Sequence, residues 1–415
     1  MSKNWNFNTK LIHGGVEPDK ATGATGQPIY QSAAYAYDTA KDLEDVFAGR
    51  QFGHIYSRIS NPTVFDLEKR ITVLENGVAS AALSSGMAAI SAVVMALCES
   101  GDEIVSSQFL FGGSYDYFDE TAPKMGINVR YVDSTDINAV RDAVTNKTRF
   151  IFVETIANPK TEVSDIKALS DLAHEKGIPL VVDSTMTSPY LFDSKAFGAD
   201  VVIHSATKYM SGNGGVIAGF VVDTGLFNWK DCLSPDVAIA AKRMGQFALI
   251  DRVRWHGLHN CGATLAPMNA YMIHVGLETM GLRVQRQSDN AEALARFLDE
   301  QDAVKAVNHP RLDGHKQQAL AHTQFPLGCG SVFSFELHSK ESAYAVIDGL
   351  KLAKNMANLG DTRTMVIHPG STIYQRRPEQ QQQAAGVTPE MIRVSVGIED
   401  INDLIEDFKQ ALGGA

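Results

Sequence analysis

The chain has 415 residues, 44% of them apolar and 20% charged. That composition suffices for a large core spread over two or three domains and excludes disordered, collagen-like and coiled-coil classes. Lys and Arg number 37 against 48 Asp and Glu, a formal charge of −11, so the basic footprint of a nucleic-acid binder is missing and no such partner is expected. Residues 1–60 are rich in Gly, Tyr and Thr and weakly periodic, and they read as an N-terminal arm. A helix is predicted to start at Pro62, because Asn61 suits the N-cap and proline suits the first turn. Val64, Leu67, Ile71 and Leu74 give it an apolar stripe, and it should end near Asn76 and Gly77. An alternation follows: strands at 78–83, 103–106, 128–132, 150–153, 179–183 and 201–204, with helices at 87–98, 137–144 and 166–175 between them. These strands are unbroken apolar runs, the pattern of a parallel sheet covered on both faces. One more buried strand is expected at 216–222. Beyond about residue 255 the pattern changes to a long helical stretch, 265–286, then strands near 331–336 and 391–396 and a last helix at 401–412. The Gln-rich stretch 375–383 and its two arginines, Arg376 and Arg377, read as solvated loop. The expected class is therefore α/β, divided into an arm (1–60), a large domain (61–258) and a C-terminal α/β domain (259–415).

Four cysteines, Cys98, Cys232, Cys261 and Cys329, show no CxxC spacing, so neither a zinc site nor a disulfide framework is predicted, and a reducing cytoplasm is expected. The N-terminus lacks the apolar stretch of a signal peptide, and runs such as 93–98 are too short to span a membrane.

Two segments carry the chemistry. Val181, Val182, Asp183 and Ser184 close one predicted strand, and His204, Ser205, Ala206, Thr207 and Lys208 close another. Ligands of open α/β sheets bind at that edge. A lysine can form a Schiff base with pyridoxal 5'-phosphate, a carboxylate can pair with its pyridinium nitrogen, and the Ser205 and Thr207 hydroxyls can serve its phosphate. Leu83, Ser84, Ser85, Gly86 and Met87 then join a strand to a helix start, a ready phosphate cup because the first amides of a helix are unpaired. The segment matches neither GxxxxGK[ST] nor GxGxxG, which argues against ATP and dinucleotides.

Together these motifs resemble the Cys/Met-metabolism family of pyridoxal-phosphate enzymes. The likeness runs from Leu11, Ile12, His13, Gly14 and Gly15 to Arg393, Val394, Ser395 and Val396. It implies the pyridoxal-phosphate transferase fold of type I, with a mostly parallel sheet in the large domain and a smaller C-terminal α/β domain. Position by position it implies Lys208 as the catalytic, cofactor-bound lysine and Asp183 as the pyridinium partner. Ser85, Gly86, Met87, Ser205 and Thr207 become phosphate contacts, and Asn158 lies near the phenolic oxygen. Tyr56 and Arg58, in Tyr-Ser-Arg-Ile-Ser-Asn-Pro-Thr, reach the phosphate of a neighbouring subunit. Arg393 clamps the substrate α-carboxylate, with Ser371 close by. A homotetramer of two catalytic dimers, an amino-acid substrate and no metal are implied as well.

Departures from the family pattern bear on the reaction. Phe111 stands where a tyrosine is usual, so the ring can stack on the cofactor but has no titratable group, which disfavours lyase chemistry. Gly113 replaces the cysteine typical of methionine γ-lyases. Gly370 and the pair Ile373-Tyr374 replace Ala and Thr-His, and Gln287 replaces a common His. The arm motif and Val222 to Trp229 are similar to the homoserine-ester sulfhydrylase branch, which implies γ-replacement on an O-acylhomoserine by sulfide or a thiol. Cystathionine γ-synthase and γ-lyase are the alternatives. Ser205 and Lys208 also fit an SxxK, with Ser288, Asp289 and Asn290 as SDN, but no Lys-Thr-Gly follows, and SxxK should open a helix rather than end a strand. His256 and His259 have helical spacing without a third ligand, so a core or surface pair is expected there. A binding module on the same fold would lack the reactive lysine, whereas Lys208 is present.

Overall fold

The computed structural model describes residues 5–414. Its larger sheet has seven strands: β1 (Ala79–Leu83), β2 (Glu103–Ser107), β3 (Asn128–Val132), β4 (Thr148–Glu154), β5 (Leu180–Asp183), β6 (Val201–Ser205) and β7 (Gly219–Asp223), in the order β1-β7-β6-β5-β4-β2-β3. Strands β2 to β6 pair in parallel, while β7 runs antiparallel to both β1 and β6. The sheet is thus mixed but mostly parallel, as the apolar runs predict. Alternate residues feed two cores. Val105, Ile151, Val182 and Val202 pack on one face, and Ile104, Phe152, Val181 and Ile203 on the other.

The second sheet holds β8 (Ala306–Asn308), β9 (Val332–Glu336), β10 (Lys354–Asn355), β11 (Met365–Ile367) and β12 (Met391–Ser395), ordered β10-β11-β12-β9-β8. Phe333, Phe335, Ile392 and Val394 build a core of its own with the closing helix Ile401–Leu412. The predicted helical stretch 265–286 is two helices, Pro267–Glu278 and Met280–Asp299. The first of them still packs Ile273 and Leu277 into the larger core.

Helix starts follow the local chemistry. In α1 (Phe7–His13) and α2 (Ala40–Phe47) the arm gains helices that its weak periodicity hid. In α3 (Pro62–Leu74) Asn61 accepts from the Thr63 amide and Pro62 fills the first turn. In α4 (Gly86–Leu97) the Ser85 hydroxyl accepts from the Ala88 amide. The stretch 375–383 is not simply a solvated loop. Residues Glu379–Ala384 form a short exposed helix, and Arg377 is buried because its guanidinium lies between two tyrosine rings. No helix among the described residues is long and apolar enough to cross a membrane.

Candidate active site

The C-terminal ends of β4, β5 and β6 open into a cavity of about 370 Å³. Ten of the residues singled out in the sequence line it: Ser85, Gly86, Met87, Phe111, Asn158, Asp183, Ser205, Thr207, Lys208 and Arg393. They come from four places in the fold, namely the start of α4, the strand ends, the loop before the short helix Gly112–Asp116, and β12 of the second sheet. The crevice lies outside the carboxyl ends of parallel strands, where open α/β sheets bind ligands.

The Ser85–Gly86 turn sits close against β6 and β7. A Cβ on Gly86 would lie 2.8 Å from Ser205 Cβ, and one on Gly219 would lie 2.1 Å from the Ser85 carbonyl oxygen. Only glycine permits this approach, which leaves the first amides of α4 at the cavity. Ser205 donates its amide to Thr185 Oγ1 at 2.8 Å, and the Thr207 hydroxyl donates to the Ala218 carbonyl at 3.3 Å. Asp183 accepts from the Thr185 amide at 2.9 Å, and burial raises its pKa. In register beside it, Glu154 is buried, and burial together with the Asp183 charge holds its carboxyl well above the usual range. Its Oε1 accepts from the Phe111 amide at 2.6 Å and so fixes the backbone that carries the Phe111 ring.

Lys208 Nζ donates to Asn358 Oδ1 at 2.7 Å. Burial, reinforced by the nearby Arg393 charge, pushes its pKa down to about 8. Arg393 is 3% exposed, and burial lowers its pKa to about 10, so it stays charged near neutrality. Its two terminal nitrogens donate to Asn158 Oδ1 at 3.3 Å and to the Asn358 carbonyl at 2.7 Å, while its Nε is buried with no hydrogen-bond partner. Among the described residues no carboxylate pairs with it.

Three predicted residues lie outside this cavity. Tyr56 is 43% exposed, and Arg58 sits by its ring and donates to the His259 carbonyl. The Ser371 hydroxyl bonds to His368 Nδ1 at 2.8 Å, and His368 Nε2 bonds to the Pro389 carbonyl oxygen at 2.8 Å. Asn358, Thr185 and Glu154 also line the cavity, and the sequence reading passed over them; Ile373, noted there as a departure from the family pattern, lines it too. Asn358 is placed by its loop: Gly360 two residues later has φ +71°, and a Cβ there would lie 2.9 Å from the Tyr209 amide. His256 bonds to Asp236 and His259 stacks on Trp255. Among the described residues no group of three or more His, Cys, Asp or Glu could hold a metal ion.

The model for the Cys/Met metabolism PLP-dependent enzyme family matches residues 8–413. The chain belongs to this family. Its relatives include an O-acetyl-L-homoserine sulfhydrylase of Leptospira meyeri, 39% identical across 99% of this chain and 98% of that one. A putative O-acetylhomoserine (thiol)-lyase of Campylobacter jejuni, solved with an N'-pyridoxyl-lysine-5'-monophosphate, superposes with a TM-score of 0.93 at 32% identity, covering 99% and 100% of the two chains. A cystathionine γ-lyase of Lactobacillus plantarum gives 0.88 at 30% identity, covering 99% of each. The fold is therefore type I, and pyridoxal phosphate is the family's cofactor. The residues present fit it: an amine of lowered pKa, a strand-end carboxylate, and a glycine cradle at a helix start that a Cβ would fill.

Proposed function

We propose that this enzyme replaces the γ-acyloxy group of an O-acylhomoserine with sulfide, or with a thiol other than cysteine, giving homocysteine or its thioether and the free carboxylate. The observation that carries the reading is Arg393, a buried guanidinium with an unpartnered Nε on the wall that Lys208 shares. Such a cation calls for an anion, and the α-carboxylate of an amino acid supplies one with planar, two-oxygen geometry. Lys208 holds the cofactor, Asp183 faces its pyridinium nitrogen, and Phe111 covers its ring. Ser85, Gly86, Met87, Ser205 and Thr207 take its phosphate, and Asn158 lies at the phenolic oxygen. Pyridoxal phosphate, when bound, supplies the electron sink for charge at the substrate Cα. Lys208 Nζ then accepts the Cα proton and later moves a proton at Cβ, a task suited to an amine of pKa about 8. The ester oxygen leaves with its acyl group, and the sulfur of the incoming thiol bonds to Cγ as it loses its proton.

A neutral acyl group such as acetyl is favoured. Lys208 and Arg393 are the cations among the described residues lining the cavity, and Ile217, Ala357, Leu359 and Ile373 leave no charge for a succinyl carboxylate or a second phosphate. Phe111, lacking a hydroxyl, also supports replacement over elimination. Tyr56 and Arg58 lie away from their own cavity, which supports a catalytic dimer in which each serves the neighbour's phosphate. Two such dimers make the homotetramer, and a biosynthetic role fits the cytoplasm. The three units are an arm (1–60), a cofactor domain (61–258) and a C-terminal domain (259–415), the last supported by its separate core. Ser371 stands close to the substrate carboxylate once its hydroxyl leaves His368.

The test is a panel of acetyl-, succinyl- and phosphohomoserine, each with sulfide and with cysteine. Homocysteine from the acetyl ester and sulfide should dominate. Dominant cystathionine, or 2-oxobutyrate from elimination, overturns the reading.

A further inference from the structure

The segment 369–378 carries Ile373 to one wall of the cavity, and the segment 110–112 carries Phe111 to another. Arg377 ties them together. It is 7% exposed, and its guanidinium carbon lies 4.0 Å from the Tyr115 ring centre and 4.4 Å from that of Tyr374. Two ring faces desolvate the cation, which raises the strength of each contact. One Nη donates to the Gly112 carbonyl at 2.8 Å and reaches Asp116 Oδ1 at 3.3 Å. From the other side, the buried Tyr374 hydroxyl donates to the Leu110 carbonyl at 2.7 Å. The carbonyls flanking Phe111, at 110 and 112, are thus both held by the segment that bears Ile373. Gly112 is pressed against that segment, since a Cβ there would lie 2.9 Å from the Ile373 carbonyl oxygen. Tyr115 stacks in turn on Tyr131 of β3, 4.6 Å between centres, which ties the clamp to the large sheet. Gln382 closes the other end by donating to the carbonyls of Tyr374 and Arg377.

We infer that Arg377 is a positioning residue for the substrate mouth: clasped between Tyr115 and Tyr374, it fixes Phe111 and Ile373 relative to each other and so sets how tightly the substrate is enclosed. As a statement about substrate the inference rests on the proposed reading; as a statement about coupled segments it does not. It uses no atom of the reacting centre, so Lys208 and Asp183 should be unaffected.

The experiment pairs hydrogen exchange on the apoprotein with steady-state kinetics on the loaded enzyme. In Arg377→Met the amides of 109–116 and 370–378 should both exchange ~10-fold faster or more, because both segments lose one shared anchor. KM for acetylhomoserine should rise ~5-fold or more with kcat within about twofold, the signature of lost ground-state enclosure rather than lost chemistry. Arg377→Lys keeps the charge but not the planar fork and should fall between the two. Tyr374→Phe removes a single hydroxyl and should also loosen 109–116, which keeps the test open should Arg377→Met not fold. Faster exchange confined to 370–384, or an unchanged KM in both folded variants, overturns the inference. The exchange arm needs no substrate, so its outcome is separate from whether the homoserine ester is the right one.

Discussion

Lys208 and Arg393 share one wall, yet burial acts on them to different ends. For Arg393 a pKa of about 10 still means a full charge at neutrality, held by an amide oxygen and a carbonyl and not by any carboxylate of the described chain. Replacing it with lysine keeps the charge but forfeits the two-pronged geometry. The expected loss is ~1.5–3 kcal/mol, or roughly 10–100-fold in KM for the amino-acid substrate. Steady-state kinetics of Arg393→Lys checks this, and an unchanged KM removes Arg393 from the carboxylate site. For Lys208 burial disfavours the ammonium, so the amine titrates near 8 rather than 10.5. The neutral amine is the nucleophile, and its fraction grows as pH rises through the folded pKa. Covalent uptake of pyridoxal phosphate by the apoprotein should therefore speed up with pH and reach half its maximum near 8, read by absorbance after mixing. A midpoint near 10.5 would mean that Lys208 is solvated. The same residue shows what a sequence can reveal: Asp183 was legible because it ends a buried strand, and Lys208 because it follows the end of another by three residues. Asn358, which holds the Lys208 amine, was not, because a lone asparagine in a loop has no local pattern.

Among the elements, the turn between β1 and α4 depends on a strand far away in sequence. Gly219 opens β7, and any side chain there would strike the Ser85 carbonyl. Gly219→Ala should cost ~1–3 kcal/mol by overpacking and displace the Ser85–Gly86 turn, the proposed phosphate cup. It should weaken cofactor binding more than it lowers the melting point of the apoprotein. Titration with pyridoxal phosphate beside a thermal melt decides the matter, and equal cofactor affinity would mean that the cup tolerates the shift. Element existence was largely legible, as α3 and the parallel strands show, because caps and apolar periodicity are local signals. Direction was not. A strand buried on both faces reads as an apolar run whichever way it points, so nothing in 216–222 announces that β7 is antiparallel. Arg377 failed for a related reason: its neighbours Gln375 and Arg376 and the glutamines beyond look solvated, while the rings that bury it come from residues 115 and 374.

For the whole molecule, the proposed sharing of Tyr56 and Arg58 between subunits can be tested by mixing. Arg58→Ala and Lys208→Ala should each be nearly inactive as pure assemblies, with Lys208→Ala down by ~10³-fold or more. Co-expressed, they form hybrid dimers in which one cavity has an intact lysine and an intact arginine from the neighbour. Activity should therefore reappear in the mixture, measured as homocysteine release. Two dead proteins whose mixture stays dead would place Arg58 back in its own subunit. The sheet order adds something that concerns the birth of the chain. Ala79 of β1 hydrogen-bonds beside Asp223 of β7, and the five residues of β1 meet no other strand. At ribosomal rates of ~5–20 residues per second, roughly 7–30 s separate the emergence of one from that of the other. Throughout that interval β1 has both edges open and the start of α4 has no floor. The nascent polypeptide thus reaches the half-way point of translation with the turn between β1 and α4 still lacking the strand it rests on.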